Sequence, residues 1–334
     1  MTLTRTLAES TVVVTGASSG IGAATAYALA SRGASVVLAA RGTDALRTVA
    51  SRCRTLGGQA LVVPTDVTDP ESVERLAAHA VEEFGRVDAW INNAAVSAVG
   101  LFEEIPLADF RRVIEVNLLG VVHGARAALP RLRAAGGGVL VNNASVLAEV
   151  AMPYQSAYNA AKHGVRGLAD TLRQELRVTG QRNISVCTVL PGTVDTPFFR
   201  HAANHTGREL VPPPPVYPPE LVAATIVRLL RRPRREAYPG RTARLLDWQW
   251  RLSPGLTERS LGRYAARAQF GPADAPPTSG NVYRTDGGAE LTGGWRRRRS
   301  RLFRATTALG LAAAGTAVGT VAATIRRRSG RRIG

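Results

Sequence analysis

The sequence predicts an α/β fold, a doubly wound parallel sheet flanked by helices. Three observations predict it. Apolar runs of strand length alternate with helix-length segments from residue 11 to residue 240. A glycine-rich stretch, Thr15 to Gly22, follows the first run and opens a helix. No internal repeat interrupts the alternation. Right-handed crossovers then put helices on both faces and ligands outside the C-terminal strand ends.

Residues 11–15 (TVVVT) form the first strand. Alanine-rich residues 21–31 suit a helix packing closely on a sheet. Residues 35–39 are the second strand. Leu46, Val49, Ala50 and Leu56 recur at helical spacing, which predicts a helix over 43–56 ended by Gly57-Gly58. Residues 60–63 are the third strand. Asp69 as N-cap and Pro70 at the first helical position open a helix over 70–84. A fourth strand spans 87–91, one or two helices 106–135, a fifth strand 138–142, a helix 158–178, a sixth strand 184–190, a helix 219–230 and a short last strand 236–238. Residues 211–219 (VPPPPVYPP) are a stiff spacer or part of a lid. Residues 252–295, rich in Pro, Gly and Arg, are either an extension wrapped on the domain or a loose linker; Trp248 and Trp250 are expected to anchor its start.

The chain has 334 residues, 45% hydrophobic, ample for a large core. Two cysteines without zinc spacing exclude a disulfide scaffold, and Cys187, in an apolar run, reads as a buried thiol. The N-terminus lacks a signal-peptide run, so a cytoplasmic catalytic domain is expected rather than a secreted one. The net charge of +18 suggests nucleic acid or an anionic membrane, but the count describes mainly the end of the chain. The residues from Arg296 onward hold eleven arginines and no acid. Lys162 is the single lysine. An ammonium is a compact charge whose pKa moves, which arginine cannot replace.

Gly16, Ser18, Ser19, Gly20, Ile21 and Gly22 make the phosphate loop. Gly16 permits a tight turn, Gly20 lets the backbone approach a pyrophosphate, and Gly22 lets helix pack on sheet. An NAD site usually places an acid at the end of the second strand. Here Arg41 stands there, offering a fork for a 2′-phosphate, so NADP is favoured over NAD. Asp66 and Val67 end the third strand, where Asp66 could accept from the adenine amino group. Asn92, Asn93 and Ala94 follow the fourth strand, and the asparagine pair could tie neighbouring strands together.

Tyr158 and Lys162 are four apart and share one helix face. A free phenol titrates near 10, and a nearby ammonium favours the phenolate. Ser145, at the end of the fifth strand, could bind a substrate oxygen, and Asn117 could hold a water linking Lys162 to solvent.

These motifs resemble the short-chain dehydrogenase/reductase family: TGxxxGIG at 15–22, NNA at 92–94, Asn117, Ser145, YxxxK at 158–162, and Pro191-Gly192-Thr193. The resemblance covers roughly residues 8–240, with Ala95 where the family usually has glycine. It implies a Rossmann-type domain and hydride transfer between NADP(H) and a carbonyl or secondary alcohol. Tyr158 is then the acid/base, Lys162 holds the nicotinamide ribose, Ser145 stabilises the oxygen and Asn117 completes a proton relay. Pro191, Gly192, Thr193 and Thr196 would cover the nicotinamide, and residues 198–219 the substrate. His201 and His205 lack a third ligand, so no metal is expected.

Residues 305–325 are 21 residues without charge, weakly apolar, flanked by arginines, and contain Gly315-xxx-Gly319. Membrane association through this tail is expected, and nucleic-acid binding is not, because no aromatics interleave with the arginines. The organisation expected is a catalytic domain over 1–240, an extension over 241–295 and a tail over 296–334. A small carbonyl or alcohol substrate, leaning to the lipophilic, and a homo-oligomer are expected. The rival readings are an NAD-linked alcohol dehydrogenase and a cofactor-binding scaffold or sensor recruited to membrane or nucleic acid by the basic tail.

Overall fold

The computed structural model describes residues 5–285 and 287–296. Residues to Gly293 form one compact unit; of the second, Gly294–Gly334, only the first three residues are described, so the 305–325 segment lies outside them. The strands are β1 (Thr11–Thr15), β2 (Ser35–Ala40), β3 (Gln59–Pro64), β4 (Ala89–Asn92), β5 (Ala98–Val99), β6 (Gly138–Asn143), β7 (Ile184–Val189), β8 (Ala203–Asn204), β9 (Arg208–Leu210), β10 (Glu236–Ala237) and β11 (Phe270–Asp274). The helices are α1 (Gly20–Ala30), α2 (Thr43–Thr55), α3 (Pro70–Phe84), α4 (Leu107–Ile114), α5 (Gly120–Ala134), α6 (Ser156–Val178), α7 (Phe198–His201), α8 (Pro219–Arg231), α9 (Arg241–Leu252) and α10 (Pro254–Ala268).

Seven strands form a parallel sheet in the order β10-β7-β6-β4-β1-β2-β3. Side chains alternate across it. Val12 and Val14 face a core built with Leu29, Val49 and Ile226 from α1, α2 and α8. Val13 faces the opposite core with Leu76, Leu132 and Leu176 from α3, α5 and α6. Each buried valine or leucine contributes about 1.5–3 kcal/mol, so both faces must be covered, and the strands read as continuous apolar runs. The chain leaves β1 towards β2 on one side and reaches β4 on the other. That divergence opens the crevice beyond Thr15 and Asn92.

The segment 106–135 resolves into α4, a π turn at Glu115–Leu119, and α5. Helix α6 starts at Ser156, which puts Tyr158 in its first turn. The extension is wrapped on the domain. Helices α9 and α10, which the Pro, Gly and Arg content concealed, pack Ala243, Ala265 and Trp250 against Val146, Leu147 and Met152. Strand β11 pairs antiparallel with β9. Trp250 anchors as expected, but Trp248 is exposed, because residues two apart on a helix point to different sides. Cys187 is buried, and burial pushes its thiol up to about 11.

Candidate active site

The loop between β1 and α1 needs its glycines. Gly16 has φ +65, and a Cβ there would sit 2.7 Å from Ala94 Cα. A Cβ on Gly22 would sit 2.1 Å from the Gly16 carbonyl oxygen. The loop is held from behind by Asn93, whose Nδ2 donates to the Thr15 carbonyl at 2.9 Å. Asn143 Nδ2 donates to Asn93 Oδ1, and Asn92 Nδ2 to Asn142 Oδ1, each at 2.9 Å. The asparagine pair thus ties β4 to β1 and β6.

A cavity of about 370 Å³ runs along the strand ends. Gly16, Ser18, Ser19, Gly20 and Ile21 line one end, with Arg41, Asp66 and Val67. Asn93, Ala94 and Ala95 line its middle. Ser145, Tyr158, Lys162, Pro191, Gly192, Thr193 and Thr196 line it as well. Gly22 and Asn117 stand behind the wall. The glycine-rich loop and the start of α1 line this end of the cavity with backbone, an arrangement that fits the phosphates of a dinucleotide.

Burial pushes Asp66 up, but the Thr68 N–H and hydroxyl and the Arg112 guanidinium outweigh it and hold the carboxyl below its usual range. Arg112 reaches it at 2.8 Å. No sequence signal named Arg112, since 46 residues separate the pair.

Tyr158 and Lys162 come together as their spacing implies. The Lys162 ammonium lies 5.3 Å from the Tyr158 ring centroid and donates to the Asn143 carbonyl at 3.0 Å. Burial pushes the phenol up to about 12, against a hydrogen bond with Ser145 that lowers it. Burial pushes Lys162 down to about 8. In this state burial therefore outweighs the expected lowering of the phenol by the ammonium. Ser145 Oγ accepts the Leu147 N–H at 3.1 Å, which fixes it at the head of a short helical turn. That turn is anchored by Glu149, which accepts from Tyr238 at 2.6 Å and pairs with Arg166 at 3.0 Å.

Asn117 is fully buried in the π turn, and its amide is committed to Val96. Oδ1 accepts the Val96 N–H at 2.9 Å and Nδ2 donates to the Val96 carbonyl at 2.8 Å. The side chain clamps a cavity-lining segment.

Arg41 lines the cavity, but a segment 240 residues away engages its guanidinium. Arg41 donates to the carbonyls of Asn281, Val282 and Arg284 at 2.6, 3.2 and 2.9 Å. The Gly20 N–H donates to the Glu290 carbonyl at 2.9 Å. Asn281, Thr285 and Gly287 line the cavity beside them. This strap was invisible to motif reading.

At the other end the lining is mainly apolar, with Leu147, Met152, Phe198, Phe199, Leu246 and Leu261, and includes Tyr264, whose hydroxyl donates to the Pro214 carbonyl. The Phe198 ring packs edge-on against Tyr158 with centroids 5.8 Å apart. Pro213, Pro214 and Pro215 close this end, so the proline-rich segment is part of the wall. His205 is turned away, with Nε2 2.8 Å from Asp109 Oδ2.

A nucleotide cradle beside a Tyr–Lys–Ser set on a doubly wound sheet defines a dehydrogenase, and comparison with known proteins makes the class specific. The short chain dehydrogenase family model matches residues 10–206. The chain belongs to the short-chain dehydrogenase/reductase family, an oxidoreductase acting on CH–OH or C=O groups with a nicotinamide cofactor. It is 35% identical over 306 residues to the uncharacterised oxidoreductase YxnA of Bacillus subtilis (strain 168), covering 90% of this chain and 86% of that one. A match of that length runs through the extension. It is 44% identical over 194 residues to cis-4-hydroxycyclohexanecarboxylate dehydrogenase of Sinomonas cyclohexanicum, covering 57% of this chain and 76% of that one. Among solved structures, an alcohol dehydrogenase from the archaeon Thermococcus sibiricus, complexed with 5-hydroxy-NADP, aligns with a TM-score of 0.59 at 29% identity, covering 69% of this chain and 95% of that one.

Proposed function

We propose that this chain transfers a hydride between NADP(H) and the carbon of an apolar carbonyl or secondary alcohol, with Tyr158 as acid/base. The observation carrying this is the meeting of Ser145, Tyr158 and Lys162 in one cavity with the phosphate loop. The bound nicotinamide supplies or accepts the hydride. In reduction the Tyr158 hydroxyl gives its proton to the substrate oxygen as that oxygen gains charge, and in oxidation the phenolate takes it back. Ser145 steadies the same oxygen with its hydroxyl. Lys162, held by the Asn143 carbonyl, favours the phenolate and reaches for the cofactor ribose. Asn117 supports the site by fixing Val96. The apolar end suits a lipophilic carbonyl, since among the described residues no arginine lines it.

Arg41 at the end of β2, with no acid in its place, supports NADP. A second reading, an NAD-linked dehydrogenase, is favoured by the strap carbonyls that Arg41 already holds. We include with this proposal a homo-oligomer and attachment of the 296–334 tail to membrane, to be tested by light scattering and by fractionation of the full chain. The catalytic proposal is tested by Tyr158→Phe. Binding of NADPH with loss of carbonyl reduction supports it; retained reduction defeats it.

A further inference from the structure

Helices α9 and α10 wall the cavity with one face, through Ala243, Leu246 and Leu261. The opposite face has no partner among the described residues. On α9, Leu245, Trp248 and Leu252 recur at spacings of three and four and are 65%, 62% and 82% exposed. Leu256, 60% exposed, continues the stripe onto α10. An apolar stripe of this size needs a reason.

The charges around it select among occupants. Arg244 borders the stripe on α9, and Arg259, Arg263 and Arg267 follow Leu256 at intervals of three and four, so they share its side of α10. All four are exposed, and none has an ion pair among the described residues. Across 241–268 there are six arginines and two acids, and one of those acids, Asp247, is buried against Arg251 at 2.8 Å. A second copy laid on this face would bring like charges together. An anionic bilayer would take the leucines and Trp248 into its headgroup boundary and neutralise the arginines. The contrasting exposed patch, Leu101, Phe102 and Leu107, carries Glu103 and Glu104 and would be repelled by the same surface.

We propose that the outer face of α9 and α10 is a docking surface for an anionic phospholipid membrane, lying on it in the interfacial plane. This is separate from the tail and does not depend on the catalytic reading. It places the helices that wall the apolar cavity on the bilayer, where a lipophilic substrate would be concentrated.

The test is hydrogen exchange on the full chain with vesicles of phosphatidylcholine alone or with added phosphatidylglycerol. Peptides over 241–268 should be protected by the anionic vesicles only. Leu245→Ser with Leu252→Ser should abolish that protection. Arg259→Glu with Arg263→Glu, fully on the surface, should weaken vesicle binding by about fivefold or more per arginine and leave reduction of a water-soluble carbonyl unchanged. Vesicle binding without protection of 241–268 would assign lipid contact elsewhere and overturn the proposal. So would protection that grows with protein concentration in the absence of lipid, which would mark a second copy. Equal protection by both vesicle types would remove the role of the arginines and overturn it as well.

Discussion

The Glu290 carbonyl accepts the N–H of Gly20, the first residue of α1, at 2.9 Å. That N–H belongs to the helix end that fits a pyrophosphate. A pyrophosphate bound at this helix end would compete with the strap for that donor. Adding NADPH should speed hydrogen exchange in peptides over 281–291. Slower exchange there would show the strap closing over the cofactor instead.

Tyr158→Phe keeps the ring that packs on Phe198 and removes only the hydroxyl. Turnover should fall by about 10²–10⁴-fold, the usual share of acid–base catalysis, while NADPH affinity by fluorescence titration stays unchanged.

Arg41→Asp offers the ribose hydroxyls an acceptor and removes a charge-assisted donor, a change of about 1.5–3 kcal/mol for a lost bond to a charged group. NADPH affinity should fall about tenfold or more and NADH affinity should rise. An unchanged ratio would leave Arg41 as a tether for the strap and favour the NAD-linked reading.

Lys162 gives a stability test. Its ammonium titrates near 8 in the folded chain, while an unfolded lysine holds its proton to about 10.4. Between these values the unfolded chain binds more protons, so stability rises with pH through that window. Tyr158, raised to about 12, acts in the other direction only above its ordinary value near 10. Denaturant unfolding of wild type should gain about 2 kcal/mol on Lys162→Met between about pH 8 and about pH 10. A constant difference would mean that burial does not shift the lysine.

Gly22→Ala would drive a methyl into the Gly16 carbonyl oxygen. Such overpacking costs about 1–3 kcal/mol, and Tm should drop by about 2–4 °C for each. Cofactor affinity should fall with it, because α1 must move away from the loop.

Much of the site was legible because its information is local. Tyr158 and Lys162 share a helix face by spacing alone, and Gly16 to Gly22 turn one strand into one helix. Asn117 shows the limit. Its place in the helical segment 106–135 could be read from the sequence, but only the π turn at Glu115–Leu119 shows its amide spent on Val96.

The sequence by itself determined the alternating strands and helices, the glycine-rich loop and the shared helix face of Tyr158 and Lys162, since periodicity and short spacing act within one element. It also concentrated the arginines late in the chain. Only the tertiary structure decided what Arg41 holds, what restrains Asp66, and where α9 and α10 lie. Those outcomes depend on segments 46 to 243 residues apart reaching the same strand ends. Such contacts form where the packed sheet leaves unpaired donors and apolar walls, and no local pattern encodes the meeting. The Pro- and Arg-rich extension became part of the active-site wall because the cavity offered Leu246 and Leu261 an apolar surface that water did not.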